Sequence, residues 1–127
     1  MTSKDLDKRI NSLNTEDFIW IIYIGIIIFS YVANHEERKY FLTRDENAKD
    51  NYRTIMIFIF VILVIVYLYF LKDSIESIKN LSPNASYKER YLNYMALIAS
   101  LLIVIAGMIY LYIAISDKDI NVELAFN

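Results

Sequence analysis

The chain has 127 residues, enough for one small domain, of which 57% are hydrophobic, and it has a formal net charge of −2 and no cysteine. A nearly balanced charge gives no indication of a nucleic-acid partner, and the lack of cysteine excludes disulfides and thiolate metal ligands. The hydrophobic residues are clustered, because residues 18–35, 54–71 and 91–116 carry no formal charge.

These uncharged runs are 18, 18 and 26 residues long, and a bilayer core about 30 Å thick is spanned by roughly 17–25 apolar helical residues. Residues 54–71 are apolar on every side of a helix, which leaves no face for water. A soluble bundle would need more protein than this chain has to cover three such helices. The sequence therefore predicts an all-α integral membrane protein with three antiparallel transmembrane helices.

The chain begins with a predicted polar tail, residues 1–14. Leu6, Ile10 and Leu13 have helical spacing, which favours a short amphipathic turn at the membrane surface, although a frayed tail fits these residues equally well. The first transmembrane helix is predicted over residues 15–40. No cleaved signal peptide is expected, since the N-terminal residues have mixed charge and no small-residue cleavage site follows the apolar run.

The second helix is predicted over residues 44–80. Thr43 and Glu46 have the spacing of a capping box, which marks the start of a helix. Because the uncharged run covers only residues 54–71, we expect this helix to extend outside the membrane at one or both ends.

The third transmembrane helix is predicted over residues 87–116, after a second capping-box pattern at Ser86 and Glu89. An acidic tail, residues 117–127, follows it. The connections between the helices are short, which favours antiparallel neighbours.

One face of the third helix has small and polar residues at a seven-residue spacing, which permits close backbone approach in lipid. The first helix has a weaker face of the same kind, and we expect the third helix to pack centrally against the first, with the second mostly facing lipid. The same face could instead build a homo-oligomer or bind a larger membrane-protein partner. The predicted packing residues are Asn93, Ala96, Ser100, Ile103, Gly107, Tyr110 and Ala114 in the third helix, with Ser30 and Asn34 in the first.

Residues typical of a membrane edge flank the apolar runs. The single histidine, His35, is followed by two glutamates, but neighbouring side chains on a helix point about 100° apart and do not converge on a metal. We therefore expect a membrane edge here, with a pH-responsive histidine as the less favoured alternative. The predicted edge residues are Trp20, His35, Arg38, Lys39, Arg53 and Lys72.

No acid, base or histidine lies deep in any apolar run, and such residues are typical of proton relays, ion paths and coupling sites. No catalytic, cofactor or metal site is predicted, and an enzyme is not expected. The sequence favours a small multi-pass protein of the cell membrane, in contact with the lipid bilayer, which serves as an accessory or assembly subunit through its third helix. The alternative is a self-associating pore-former of the holin type, although the tail from residue 117 carries one lysine against three acids.

Overall fold

Three long helices account for most of the chain in the computed structural model, which describes residues 2–124. Helix α1 spans Ser3–Thr43, α2 spans Glu46–Lys79 and α3 spans Tyr87–Ser116. Consecutive helices run antiparallel, and each is long and apolar enough to cross a membrane. The predicted all-α class with three such helices is confirmed.

Helix α1 begins at Ser3 rather than near residue 15. Thr2 accepts a hydrogen bond from the backbone N–H of Asp5, whose carboxylate in turn accepts one from the backbone of Thr2. This capping box satisfies donors that a helix start would otherwise leave unpaired. The predicted polar tail, apart from Met1, which lies outside the described residues, is therefore the first part of one continuous helix.

The junction between α1 and α2 also differs from the predicted one. Thr43 does not cap α2 but is the last residue of α1, and Arg44 follows it in the left-handed conformation, with φ 57°. The cap of α2 is Asp45, whose side chain accepts a hydrogen bond from the backbone N–H of Asn47. In contrast, Ser86 caps α3 as predicted.

Helix α2 is the middle helix. It packs against both α1 and α3, while α1 and α3 make no helix–helix contact within residues 2–124. The expectation that the third helix packs against the first, with the second facing lipid, is therefore wrong. Small residues show where a neighbouring helix approaches, but they do not show which helix is central, and here the large side chains of α2 fill both interfaces.

One face of α2 is buried and the opposite face is exposed. The exposed face includes Phe58, Val61, Ile65 and Leu68, and lies a half-turn away from the buried one. Both neighbouring helices therefore lie toward the same side of α2, and the three helices form a V in cross-section. The buried side chains are Ala48, Tyr52, Met56, Ile59, Phe60, Leu63 and Val66.

The contact between α1 and α2 follows a seven-residue spacing along α1. Ile19, Ala33 and Tyr40 are buried, and Ile26 is packed against the buried core. Ala33 has no solvent exposure at all, so the backbone of α1 lies close to its neighbour at this point. A heptad spacing of this kind keeps one stripe of a helix against its partner over many turns.

Helix α3 extends farther than α2 on one side of the molecule. The hydroxyl groups of Ser74 and Ser100 are hydrogen-bonded, 2.9 Å apart. Ser74 lies beyond Lys72, where the uncharged run of α2 has already ended, whereas Ser100 lies well inside the uncharged run of α3. At 1.5 Å per residue, residues 91–99 extend about 14 Å past the level of Ser74, which already lies beyond the end of the uncharged run of α2. The exposed side chains in this extension include Tyr91, Leu92, Tyr94, Met95 and Ile98.

The outer surface of the three helices is apolar. Ile21, Ile24, Leu102 and Tyr112 are each more than half exposed, and such side chains continue around the molecule at the level of the uncharged runs. A soluble monomer rarely exposes an apolar surface this large, whereas lipid tails cover it without cost. The surface therefore implies contact with lipid.

After α3, the chain folds back toward the beginning of α2. Leu124 is 4% exposed and belongs to the buried core together with Tyr52, Met56 and Ala114. The predicted acidic tail is therefore packed on the helices as far as the structure describes it. Its last residues, 125–127, lie outside the described part of the chain.

Candidate functional site

An open groove runs along α2 between α1 and α3. One part is a cavity of ≈ 490 Å³ between α1 and α2, and a smaller one of ≈ 140 Å³ lies between α2 and α3. Tyr67 lines both, so the two cavities adjoin. We call this region the groove, and its lining includes Leu63 and Tyr67 on α2, Tyr23, Ile27, Ser30, Tyr31 and Asn34 on α1, and Ile103, Ala106 and Tyr110 on α3.

The groove exists because α1 and α3 pack on α2 without meeting each other. Its floor follows the buried face of α2, and its α3 wall is formed by side chains at helical spacings of three and four. Ile103 and Ala106 are exposed in that wall, and Ala99 is exposed one turn away on the same face. The wall therefore offers small side chains to the open space, which allows another helix to approach closely.

Polar groups lie along the groove at the level of the uncharged runs. The hydroxyl of Ser30 donates to the backbone carbonyl of Ile26, 2.8 Å away. Within residues 2–124, the hydroxyls of Tyr23 and Tyr67 and the amide of Asn34 form no hydrogen bond with protein. A polar group in hydrocarbon gains from a protein partner, since lipid tails offer none.

The predicted packing residues of α3 fall into two sets. Ser100, Gly107 and Ala114 face α2: Ser100 bonds Ser74, Gly107 lies against Tyr67 and Val64, and Ala114 is buried. The ring of Tyr110 stacks on Phe60 with 5.5 Å between centroids.

The other predicted α3 residues do not bind a neighbouring helix. Ala96 and Ile103 are exposed, and Asn93 donates from its side-chain amide to the carbonyl of Glu89 in its own helix. In α1, Ser30 and Asn34 line the groove rather than contacting α3. The assignment of these residues to a partner-binding face stays a prediction.

The predicted membrane-edge residues lie near the ends of the uncharged runs. His35, Arg38 and Lys72 are exposed, and Trp20 is 65% exposed with its ring edge-to-face with Tyr23. Lys39 forms an ion pair with Asp45 at 3.5 Å. Arg53 instead points across to α3, where its guanidinium donates to the carbonyls of Ile115 and Asp117.

A second crevice, of ≈ 350 Å³, lies between the N-terminal part of α1 and the C-terminal part of α2. Its charged side chains have both signs and no ion pair closes it among the described residues. No group of three or more histidines, cysteines or acids there, or elsewhere in residues 2–124, has a geometry that could hold a metal ion. The residues lining it are Asp5, Lys8, Arg9, Ser12, Leu13, Glu16, Asp73, Glu76, Ser77 and Asn80.

Sequence reasoning missed the floor of the groove. Leu63 and Tyr67 lie in a run that is apolar on every side, so no pattern separates the side chains that face the groove from those that face lipid. The heptad spacing of Ile19, Ala33 and Tyr40 was a usable signal, because it identifies the face of α1 that packs on a neighbour. If this face of α1 is packed on α2, the groove remains open beside the contact.

Comparison of the chain with protein-family models, with curated proteins and with solved structures finds no match. The groove is therefore interpreted from its own geometry and chemistry.

Proposed function

We propose that the protein is a non-enzymatic, multi-pass accessory subunit of the cell membrane, and that its groove docks one transmembrane helix of a larger membrane-protein partner. The observation that carries this proposal is the open floor of α2 between two helices that do not touch. A fourth helix in that position would pack on α1, α2 and α3 together, as in a four-helix bundle.

The lining of the groove suits a helix better than it suits a small polar substrate. Most of the lining surface is aliphatic or aromatic, and the α3 wall presents Ala99 and Ala106, which permit close approach. The unpaired hydroxyls of Tyr23 and Tyr67 would accept or donate hydrogen bonds across the new interface. In membranes each such interhelical bond contributes about 0.6–2 kcal/mol.

The lining of the groove favours helix docking over the pore-forming alternative. A water-filled pore needs a polar lining, whereas most of the groove's surface is aliphatic or aromatic, with one amide and five hydroxyls along it. A docked helix would instead cover the groove with its own apolar side chains and leave no space for water.

The test fills part of the groove from its α3 wall and leaves the contact between α3 and α2 unchanged. Ala106→Leu places a larger side chain in the groove, and we expect it to reduce recovery of a stoichiometric partner in a mild-detergent pull-down by about tenfold, a change equivalent to about 1.4 kcal/mol. Membrane insertion and helix content should stay unchanged, since the side chain replaces lipid contact only.

Gly25→Leu is the matched control, because a Cβ at Gly25 meets nothing within 4 Å and the residue does not line the groove. Equal recovery with both variants would rule out docking in the groove. Discrete homo-oligomers that collapse the membrane potential on expression would favour the pore-former instead.

A further inference from the structure

The segment after α3 continues the line of the groove. On α2, Tyr52 and Met56 lie on the same helical face as Leu63 and Tyr67. The first two contact the C-terminal segment, whereas the second two line the open part. Residues 117–124 therefore occupy one end of the same depression that is empty farther along.

The walls show the same continuity on α3. Ala106 and Tyr110 border the open part, and Ile113, at the next helical spacing, lies beneath the C-terminal segment, where it lines a small space together with Leu124. That space, ≈ 10 Å³, holds no more than about one water molecule. The segment thus closes this end of the groove almost completely.

Several contacts hold the segment in place, among them the bond from Arg53 to the carbonyl of Asp117 and the packing of Ile120 against the core. The carboxylate of Asp117 accepts hydrogen bonds from the backbone N–H groups of Asn121 at 3.0 Å and Val122 at 2.7 Å. Asp119 forms an ion pair with Lys49 of α2 at 3.6 Å. Leu124 then reaches the core, where it is 4% exposed.

Other features limit how strongly the segment is held. Within residues 117–124, Leu124 is the single fully buried side chain and Ile120 is only partly buried against the core. Asp119 is 74% exposed, so its ion pair is screened by water and contributes little. Ile120 has a φ of 56°, a left-handed conformation that is unfavourable for a β-branched residue. Releasing the segment would relieve this strain.

We propose that residues 117–124 are a displaceable plug, which closes one end of the groove in the isolated chain and is pushed out when a helix occupies the full groove. The inference deepens the proposed function and rests on it for the identity of the displacing helix. The seating and release of the plug, in contrast, are properties of this chain alone and are testable without a partner.

The first experiment measures exposure of introduced cysteines in the full chain, which has no cysteine of its own. Leu124→Cys in lipid nanodiscs should react with a water-soluble maleimide about tenfold more slowly than Val122→Cys, which is exposed at the same end. Adding Asp117→Ala to Leu124→Cys should raise its rate toward that of Val122→Cys, because the two backbone hydrogen bonds are lost.

Glu123→Gln is the matched control, since this acid lies in the same segment and forms no hydrogen bond or ion pair with residues 2–124. It should leave the reaction rate of Leu124→Cys unchanged. The substitution at position 124 could itself unseat the plug, so Met56→Cys reports the same event from beneath the plug. Its thiol should react as slowly as that of Leu124→Cys, and Asp117→Ala should speed the reaction in the same way. Full reactivity of both introduced thiols without Asp117→Ala would overturn the proposal.

The second experiment measures competition. Leu124→Asp, which cannot remain buried without a partner for its charge, should raise recovery of the partner about threefold over wild type, and the exposed control Val122→Asp should not. Recovery of a partner by the wild type and by Leu124→Asp at the same level overturns the plug as a regulator. If the wild-type chain and Leu124→Asp recover no partner while the thiol of Leu124→Cys is protected, the docking function fails and the seated plug stands.

Discussion

Gly107 determines how closely α3 lies against α2. A Cβ built at this position would lie 3.1 Å from Cδ2 of Tyr67 and 3.3 Å from Cγ2 of Val64. Contacts this short require the neighbours to move. Tyr67 borders the open groove and has room to shift a little, whereas Val64 is held between the two helices.

Gly107→Leu should therefore separate α2 from α3 and lower the free energy of unfolding by about 1–3 kcal/mol, the usual effect of overpacking. Gly107→Ala should cost less, because a small shift of the Tyr67 ring toward the groove accommodates one methyl group. Unfolding in mixed micelles measures both, with Gly25→Leu as the control at an open position. A Gly107→Leu chain as stable as the control would contradict the close approach described here.

Arg53 stabilises the end of α3 from a different helix. The last turn of α3 contains no basic residue, and its carbonyl groups would otherwise lack partners. Arg53 of α2 donates from Nη2 to the carbonyl of Ile115 at 3.0 Å and from Nε to that of Asp117 at 3.3 Å. A cation near a helix C-terminus is also favoured by the helix dipole.

Arg53→Ala should speed amide hydrogen exchange in residues 113–117 and lower stability by about 1 kcal/mol, since the site is partly exposed. Arg53→Lys keeps the charge but loses the fork of two donors, so it should fall between wild type and Arg53→Ala. Exchange measured in nanodiscs gives the comparison. Identical exchange in Arg53→Ala and wild type would show that water satisfies these carbonyls equally well.

The packing of the C-terminal segment on the helices should weaken at low pH. Burial raises the pKa of Asp117, but hydrogen bonds from the backbone N–H groups of Asn121, Val122 and Asp119, with the charge of Arg53, together lower this pKa below its ordinary value of 3.8. Lys49, paired with Glu46 and Asp119, places further charges at this end of α2.

A lowered pKa stabilises the folded segment at every pH above the ordinary value, and this stability is lost as pH falls through the folded pKa. The segment should therefore stay seated at neutral pH and lose this stabilisation only as pH falls below 3.8. The backbone amide signal of Val122 in an NMR titration reports the change directly. Asp117→Asn should abolish the acid step, and an unaltered step in that variant would assign it to another carboxyl group.

The elements themselves were largely predictable from the sequence, because uncharged runs of this length have few other structures open to them. The first residue of α1 was not predictable. A capping box at Thr2 and Asp5 extends this helix by more than three turns through residues of mixed polarity. The back-folded segment was also unpredictable. Nothing in residues 117–124 indicates that Leu124 packs in a core rather than at an exposed end.

For the whole molecule, the sequence predicted the antiparallel direction of the helices but not their order. Ser100, Gly107 and Ala114 lie on the face that α2 approaches. Small residues accept any large partner, however, and α2 and α1 both have large side chains. To decide whether α1 or α2 packs on α3, the surface shapes of both helices in the interface must be known. The open groove follows from α2 being the central helix, so it could not be predicted from the sequence either.

The overhang of α3 beyond α2 has a consequence for the lipid around the molecule. If the hydrocarbon layer ends with the uncharged run of α2, residues 91–99 extend about 14 Å or more past it on one side, farther than the headgroup layer of about 5–8 Å reaches. If the layer instead rises to cover them, it must be thicker beside α3 than beside α1. Either way the bilayer meets two unequal flanks, and a mismatch on one flank alone favours tilting of the helices or a local change in bilayer thickness.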